Sequence, residues 1–309
     1  SLDLAARIVV NATGPFSDVI HRLDNANAPQ SIAPSQGIHL VFDRKFLPCD
    51  TAIIVPKTPD GRVIFAIPWH EHTVVGTTDT PINDVPLEPR PRSDEIVFLL
   101  ETIAPYLAPS PQAADIRAIF AGIRPLVRSG DAKHTSKIGR DHVIRDSASG
   151  LVSIMGGKWT TYRRMAQDCV DHAARVGGLA PVACPTEQMP IHGGGGNFAD
   201  GPLAIYGSDA PAIAQLIAER PALGERLDTR LPFLAAQVVW AARHEMARTV
   251  EDVLARRTRA LFLNADAALA AAPRVAQLLA EEFGCDDAWQ ADQLTQFGTV
   301  AAHYQPPAQ

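Results

Sequence analysis

The spacing of apolar positions changes several times along the chain, and each change marks an element. Residues 6–12 form a short apolar run that stops at Thr13-Gly14-Pro15, and residues 16–23 then take helical spacing, so the chain opens as strand, tight turn, helix. A strand of this apolar kind belongs inside a sheet, and further sheet is expected to precede it. Strand-like stretches follow at 38–42, 52–56, 63–68 and 73–77, with Asp60-Gly61 as a hairpin turn between the second and third. They predict a mainly antiparallel sheet. Residues 93–107 carry Ile96, Leu99, Leu100 and Ile103 at helical spacing, capped by Ser93 with Glu95 in the first turn, and residues 116–123 return to strand.

Residues 151–155 are another short strand, running into Gly156-Gly157-Lys158 and an amphipathic helix. Its predicted buried face is Tyr162, Met165, Ala166, Cys169, Val170 and Ala173, with Gly177 and Gly178 as the stop. Residues 178–201 are rich in Gly and Pro and read as a linker. Beyond it the pattern is helical at 210–219, 234–245, 250–257 and in two stretches between Pro273 and His303, with Thr249 and Asp252 as a capping pair. A domain boundary is placed near residue 190.

At 309 residues, 46% hydrophobic and 20% charged, the chain can bury a substantial core, and its length suggests two domains. No apolar run reaches the roughly 18 residues of a membrane span, and residues 1–7 lack the pattern of a signal peptide, so a cytoplasmic setting is the default expectation. Cys49, Cys169, Cys184 and Cys285 have no zinc-ligand or CxxC spacing, which predicts reduced, mostly buried thiols. The net charge of −6 argues against a general nucleic-acid binder, but it is uneven. Residues 115–164 hold ten Lys or Arg against four Asp, so this stretch is +6 and the rest −12. A local cationic region suits a small anionic ligand, although a solvated basic surface gives the same count.

Five features are candidates for chemistry. The turn Gly156-Gly157-Lys158 allows close backbone approach and opens a helix, where free N–H groups favour an anion or an electron-rich ring. An ordinary helix start with an incidental lysine fits equally well, and the turn is not a P-loop, because Val152 stands where that motif needs glycine. Arg124 ends a strand beside Pro125, a placement suited to holding phosphate or carboxylate bidentately, though a surface arginine in a turn is commoner. His39 alternates with apolar neighbours and could accept a hydroxyl proton, although a half-buried bonded histidine is commoner. His70 and His72 fall at an expected hairpin turn with no third metal ligand. His192 and the glycines after it lack an accompanying GxSxG elbow, and no GxGxxG fingerprint occurs.

In chain order, Val10-Asn11-Ala12-Thr13-Gly14-Pro15, Gly37-Ile38-His39-Leu40-Val41, Phe65-Ala66-Ile67-Pro68-Trp69, Gly76-Thr77-Thr78-Asp79-Thr80, Ala121-Gly122-Ile123-Arg124-Pro125-Leu126 and Gly156-Gly157-Lys158-Trp159-Thr160-Thr161-Tyr162-Arg163 form a series. It resembles the FAD-dependent glycerol-3-phosphate dehydrogenases, and residues 249–259 resemble that family's carboxy-terminal cap.

The resemblance implies an α/β (α+β) FAD-dependent oxidoreductase fold of the glutathione-reductase-like, DAO type, here incomplete. Residues 1–190 would hold a partial FAD-binding domain (1–25 and 141–178) with an inserted antiparallel substrate domain at about 26–140, and residues 191–309 an all-α cap. Asn11, Ala12, Thr13 and Gly14 would pass under the FAD dinucleotide. Gly157, Lys158, Trp159 and Thr160 would meet the isoalloxazine ring, with Gly156 and Arg124 also cofactor contacts. Arg124, Arg140 and Lys158 match positions that hold the substrate phosphate or polarise its oxygen, His39 matches the base, and Thr77 and Thr78 line the same cavity. Arg124 and Arg140 join His39 as the catalytic set. The implied reaction takes sn-glycerol 3-phosphate to dihydroxyacetone phosphate, hydride passing to FAD and electrons to quinone. The implied setting is the cytoplasmic face of the inner membrane, with peripheral attachment, no nucleic acid, and a homodimer as candidate assembly.

The sequence departs from the family at Gln36-Gly37, where Lys-Gly is usual, and it lacks the GxGxxG segment that carries most ADP contacts. Three rivals remain: a glycerol-3-phosphate oxidase or other DAO-family flavin oxidase using oxygen, an amine or amino-acid oxidase, and an inert fragment needing its amino-terminal part.

Overall fold

The computed structural model describes residues 3–56, 58, 61–128, 141–194 and 201–306. Its strands are β1 (Val10–Asn11), β2 (Ile32–Asp43), β3 (Ile53–Val55), β4 (Ile64–Trp69), β5 (His72–Gly76), β6 (Thr80–Pro81), β7 (Ala118–Val127), β8 (His142–Asp146) and β9 (Val152–Gly156). The helices are α1 (Ser17–Asp24), α2 (Ser93–Ile103), α3 (Tyr162–Val176), α4 (Ala210–Glu219), α5 (Ala235–His244), α6 (Ala260–Leu263), α7 (Ala265–Phe283) and α8 (Asp287–Ala301). Two compact units form: Ser1–Gly37, Asp79–Pro89 and Gly122–Pro190 make the first, and Ile38–Thr78, Arg90–Ala121 and Ile191–Gln309 the second. The long strands β2 and β7 contribute residues to both.

In the first unit β9 is the middle strand, parallel to β1 (Val10 opposite Val152, Asn11 opposite Ser153) and antiparallel to β8. α3 packs on this sheet through a narrow stripe, Cys169 and Ala173 against Val152, with Ile8, Ile144 and Ile154 at the margins. Three residues of the predicted helix face, Tyr162, Ala166 and Val170, are therefore exposed instead. Val170 lies about 100° around the helix from Cys169 and is 65% exposed, while Tyr162 sits in the first turn stacked on Trp159. A second small cluster joins Ile32, Val127 and Met155. Strand β8, polar and half-exposed, had no apolar run to announce it. The buried Asp18 carboxylate ties α1 to the start of β2 by accepting the N–H groups of Ser31 (2.9 Å) and Ile32 (3.1 Å).

In the second unit β3, β4, β5 and the later half of β2 pair antiparallel in that order. Period-two alternation sends successive side chains to opposite faces; across β2 and β5 both faces are buried, whereas β3 and β4 leave Ile54, Phe65 and Ile67 exposed. Leu40, Phe42, Ala66, Val75 and Ile119 join Ile96, Leu99 and Ile103 of α2, whereas Val41, Val74 and Ala118 join the helical residues. The cap of α2 differs from expectation: Ser93 is the first helical residue, and the Glu95 carboxylate accepts the Arg92 N–H at 3.1 Å.

The helical part of this unit packs around α5 and α7, whose buried faces are rich in alanine and so allow close approach. α7 begins at Ala265, capped by Asn264 Oδ1 accepting the Ala267 N–H at 2.9 Å, so Pro273 lies inside it on the exposed side rather than at its start. Thr249 and Asp252 form the expected reciprocal cap, at 3.0 and 3.1 Å, but the turns that follow, Asp252–Arg257, are π-helical. All four thiols are free; Cys169 is buried and Cys49 exposed, so burial of the cysteines is less general than expected. Among the described residues no helix is long and apolar enough to cross a membrane.

Candidate active site

The parallel pairing of β1 and β9 brings two similar turns to one edge. Each strand is followed by glycine of positive φ and a helical start: after β1, Gly14 (φ 57°) opens the short 3-10 turn Gly14–Phe16 that leads to α1, and at the end of β9, Gly156 (73°) and Gly157 (82°) precede the turn Trp159–Thr161 and α3. That edge of a parallel sheet is where open α/β folds bind dinucleotides, because helix N–H groups and side-chain-free backbone both face the ligand.

Asn11, 2% exposed, shapes the first turn. Its Nδ2 donates to the Ser17 carbonyl (3.1 Å), and its Oδ1 accepts the Thr13 N–H (3.3 Å) and hydroxyl (2.7 Å). Ala12 and Thr13 are exposed, and no atom stands within 4 Å of where a Cβ at Gly14 would lie, so a ligand can approach this face. A Cβ at Gly156 would meet the Asp141 carbonyl at 2.9 Å and Val127 at 3.0 Å. In the second turn Lys158, Trp159 and Thr160 are all exposed, Trp159 at 85%. The Lys158 carbonyl accepts both the N–H and the hydroxyl of Thr161 at 3.0 Å, which fixes the backbone and leaves the lysine chain outside. These residues fit a flat, partly anionic cofactor.

Arg124 lies in β7, partly buried, with Nη1 3.7 Å from Asp79 Oδ1; Asp79 in turn accepts a hydrogen bond from Ser35 Oγ. A braced carboxylate thus stands at ion-pair distance from the guanidinium. Arg140 lies outside the described residues. Three other described cations of the basic stretch are engaged by neighbours in their own unit. Arg117, in the second unit, donates to both Asp43 oxygens (2.9 and 2.6 Å), a bond that holds the Asp43 carboxyl below its ordinary range. Arg163 bonds Gln167 and Thr186, and Arg164 pairs with Asp168.

In the second unit His39 stands on β2 opposite Gly76 of β5, its ring stacked on Phe120 at 4.8 Å and 14°. Thr78 is 1% exposed. Its hydroxyl accepts the Ile38 N–H (3.0 Å) and donates to the buried Glu95 (2.7 Å), so it locks the chain beside His39. Thr77, half-buried, bonds the Thr78 carbonyl at 3.3 Å.

Residues 2–163 match a family described as FAD dependent oxidoreductase. The chain belongs to the FAD-dependent oxidoreductase family. Residues 151–290 also match the C-terminal domain of alpha-glycerophosphate oxidase. Over 94% of its length the chain is 39% identical to a mitochondrial glycerol-3-phosphate dehydrogenase of Arabidopsis thaliana, covering 51% of that protein, and 36% identical to the Homo sapiens mitochondrial enzyme, covering 43% of it. It thus spans about half the length of the curated relatives it matches. The structure of a glycerol-3-phosphate dehydrogenase from Bacillus halodurans, complexed with FAD, superposes over 99% of this chain and 64% of that one, with a TM-score of 0.80 and 28% identity. The expected DAO-type fold, with sheets followed by a helical carboxy-terminal part, is the one observed. FAD is the cofactor of this oxidoreductase family, and the turns after β1 and β9 are the residues here that fit it.

Sequence reading did not connect three residues to the candidate ones that the structure joins them to: Asp79 beside Arg124, Phe120 beneath His39 and Glu95 behind Thr78. Asp79 had a local signal in its Thr-Thr-Asp-Thr run; the other two look in sequence like ordinary strand and helix positions.

Proposed function

We propose that the protein oxidises sn-glycerol 3-phosphate to dihydroxyacetone phosphate, with FAD as hydride acceptor. The observation that carries this reading is the pair of positive-φ glycine turns at the carboxy-terminal edge of two parallel strands, in a chain similar along 94% of its length to glycerol-3-phosphate dehydrogenases. Ala12, Thr13, Gly14, Gly156 and Gly157 would hold the cofactor through backbone, with Asn11 keeping the first turn in shape. Lys158 and the free N–H groups opening the turn Trp159–Thr161 favour negative charge at the end of β9. When bound, FAD supplies the ring that accepts the hydride from the substrate's C2. Arg124, beside Asp79, and Arg140 and Lys158 hold the phosphate or polarise the substrate oxygen, as paired cations do for dianions. His39 takes the hydroxyl proton through its ring nitrogen, and Thr77 lines the substrate's surroundings while Thr78 supports the backbone.

The same reading divides the chain into a partial FAD-binding domain, 1–25 and 141–178, an inserted substrate domain at about 26–140, and a cap at 191–309. Quinone is the proposed electron acceptor, with peripheral attachment to the cytoplasmic face of the inner membrane. A second reading, a glycerol-3-phosphate oxidase passing electrons to oxygen, is favoured by the match of residues 151–290 to alpha-glycerophosphate oxidase. The test is anaerobic reduction of the flavin-loaded protein. Glycerol 3-phosphate should bleach the flavin absorbance and glycerol should not, and Arg124→Ala should raise KM at least tenfold, since charge-assisted hydrogen bonds of this kind are worth about 1.5–3 kcal/mol. A loaded protein that glycerol 3-phosphate leaves yellow contradicts the substrate assignment. Reoxidation by a quinone analogue against oxygen separates the two acceptors.

A further inference from the structure

His39 is held from both sides by groups with no acid–base chemistry of their own. On one side is Gly76, its cross-strand partner: a Cβ there would fall 2.1 Å from His39 Cδ2 and 2.7 Å from Nε2, so the imidazole lies in the space a side chain would take. On the other is Phe120, with ring centroids 4.8 Å apart and planes within 14°. Phe120 is itself the first of a column. Phe262 of α6 meets it edge-on at 5.1 Å and 66°, and Tyr304 meets Phe262 at 5.3 Å and 74°. Backbone bonds fix the column at both ends: the Tyr304 carbonyl accepts the Ile119 N–H (2.8 Å), and the Arg117 carbonyl accepts the Ala265 N–H (3.0 Å).

We infer that Phe120, braced by Phe262 and Tyr304, is a positioning residue for the proton-accepting ring, and that Gly76 is the gap that admits that ring. The inference rests on the reading of His39 as the base. A base is effective only when its nitrogen lies along the line of the proton it takes, and an imidazole on a strand can turn about χ2 unless both faces are blocked. The backbone of Gly76, lacking a side chain, leaves room for the ring on one face, and Phe120 of β7, backed by Phe262 and Tyr304 of the helical part, covers the other. Displacing a reacting group by about 1 Å costs on the order of 100-fold in rate, so a stack that sets one torsion has a kinetic effect larger than its packing.

The test uses the flavin-loaded protein for rate and selectively His-labelled chain for NMR. In the parent protein the His39 ring protons, assigned by their loss in His39→Gln, should resonate upfield from the ring current of Phe120. Phe120→Leu should abolish that shift and slow anaerobic flavin reduction roughly 10- to 100-fold, with KM and flavin content within twofold of the parent. Phe120→Tyr, which keeps the stack, should restore both readings. Gly76→Ala, crowding the ring from the opposite face, should alter the His39 resonances and slow reduction without Phe120 being touched. If Phe120→Leu loses the ring-current shift yet keeps the parental rate, or loses rate, KM and flavin together, the positioning role is wrong. If His39→Gln reduces flavin at the parental rate, the assignment of the base fails and this inference with it, a result distinct from an inactive His39→Gln beside a fully active Phe120→Leu.

Discussion

The two units bury apolar surface very differently. The second covers both faces of β2 and β5, with Leu40, Phe42 and Val75 to one side and Val41 and Val74 to the other, and nearly encloses α5 and α7, although β3 and β4 leave Ile54 and Ile67 exposed. The first has two clusters of three buried residues each, and it leaves Val9, Val10, Leu23, Val170 and Val182 exposed. At about 1.5–3 kcal/mol for each fully buried large apolar side chain, the second unit carries most of the stability. The turns that fit a cofactor lie in the first and His39 in the second, so the backbone proposed to face the cofactor is drawn from the weakly packed part and the proposed proton acceptor from the more tightly packed part.

That contrast can be broken most forcefully in the helical core. Leu278→Ala, at a fully buried site, should cost about 2–5 kcal/mol and lower the denaturation midpoint of the helical signal. Native-state hydrogen exchange should rank the amides of α5 and α7 slowest and those of β1 and α3 among the fastest; equal protection of β1 and α7 would remove the contrast. Asn11→Ala should have a smaller effect, about 1–3 kcal/mol from the loss of three internal hydrogen bonds, and confined to the first unit. Faster exchange in α7 of that variant would contradict the separation.

The smallest effect is electrostatic. Burial works against ionisation of Asp252, but the N–H of Arg248 and the side chains of Arg256 and Thr249 hold its pKa at about 2. A folded pKa below the ordinary value of 3.8 gives stability that is present above that value and lost as pH falls toward 2. Acid titration of helical unfolding should therefore show a component between about pH 4 and 2 that Asp252→Asn abolishes. The same substitution should leave unfolding of the first unit unchanged.

Much of this architecture was written in local pattern. The strand around 38–42, the helix at 210–219 and the reciprocal Thr249–Asp252 cap are all where periodicity and capping chemistry put them. The misses differ in cause, two set by distant partners and one by a local cap. β8 owes its strand to pairing with β9, Glu95 rather than Ser93 caps α2, and Val170 is exposed because only a narrow stripe of α3 finds a partner. At the candidate site, His39, Arg124 and the Gly-Gly-Lys turn were named from motifs, yet what holds them was not. Phe120 lies 81 positions from His39 and Asp79 lies 45 from Arg124, and no local rule links residues so far apart.

The most direct test of the proposed division of labour is anaerobic bleaching of flavin-loaded His39→Gln by sn-glycerol 3-phosphate. FAD should remain bound at parental stoichiometry while bleaching slows by about 100- to 10,000-fold, the usual worth of a general base. Bleaching at the parental rate, or loss of FAD together with activity, would contradict the account.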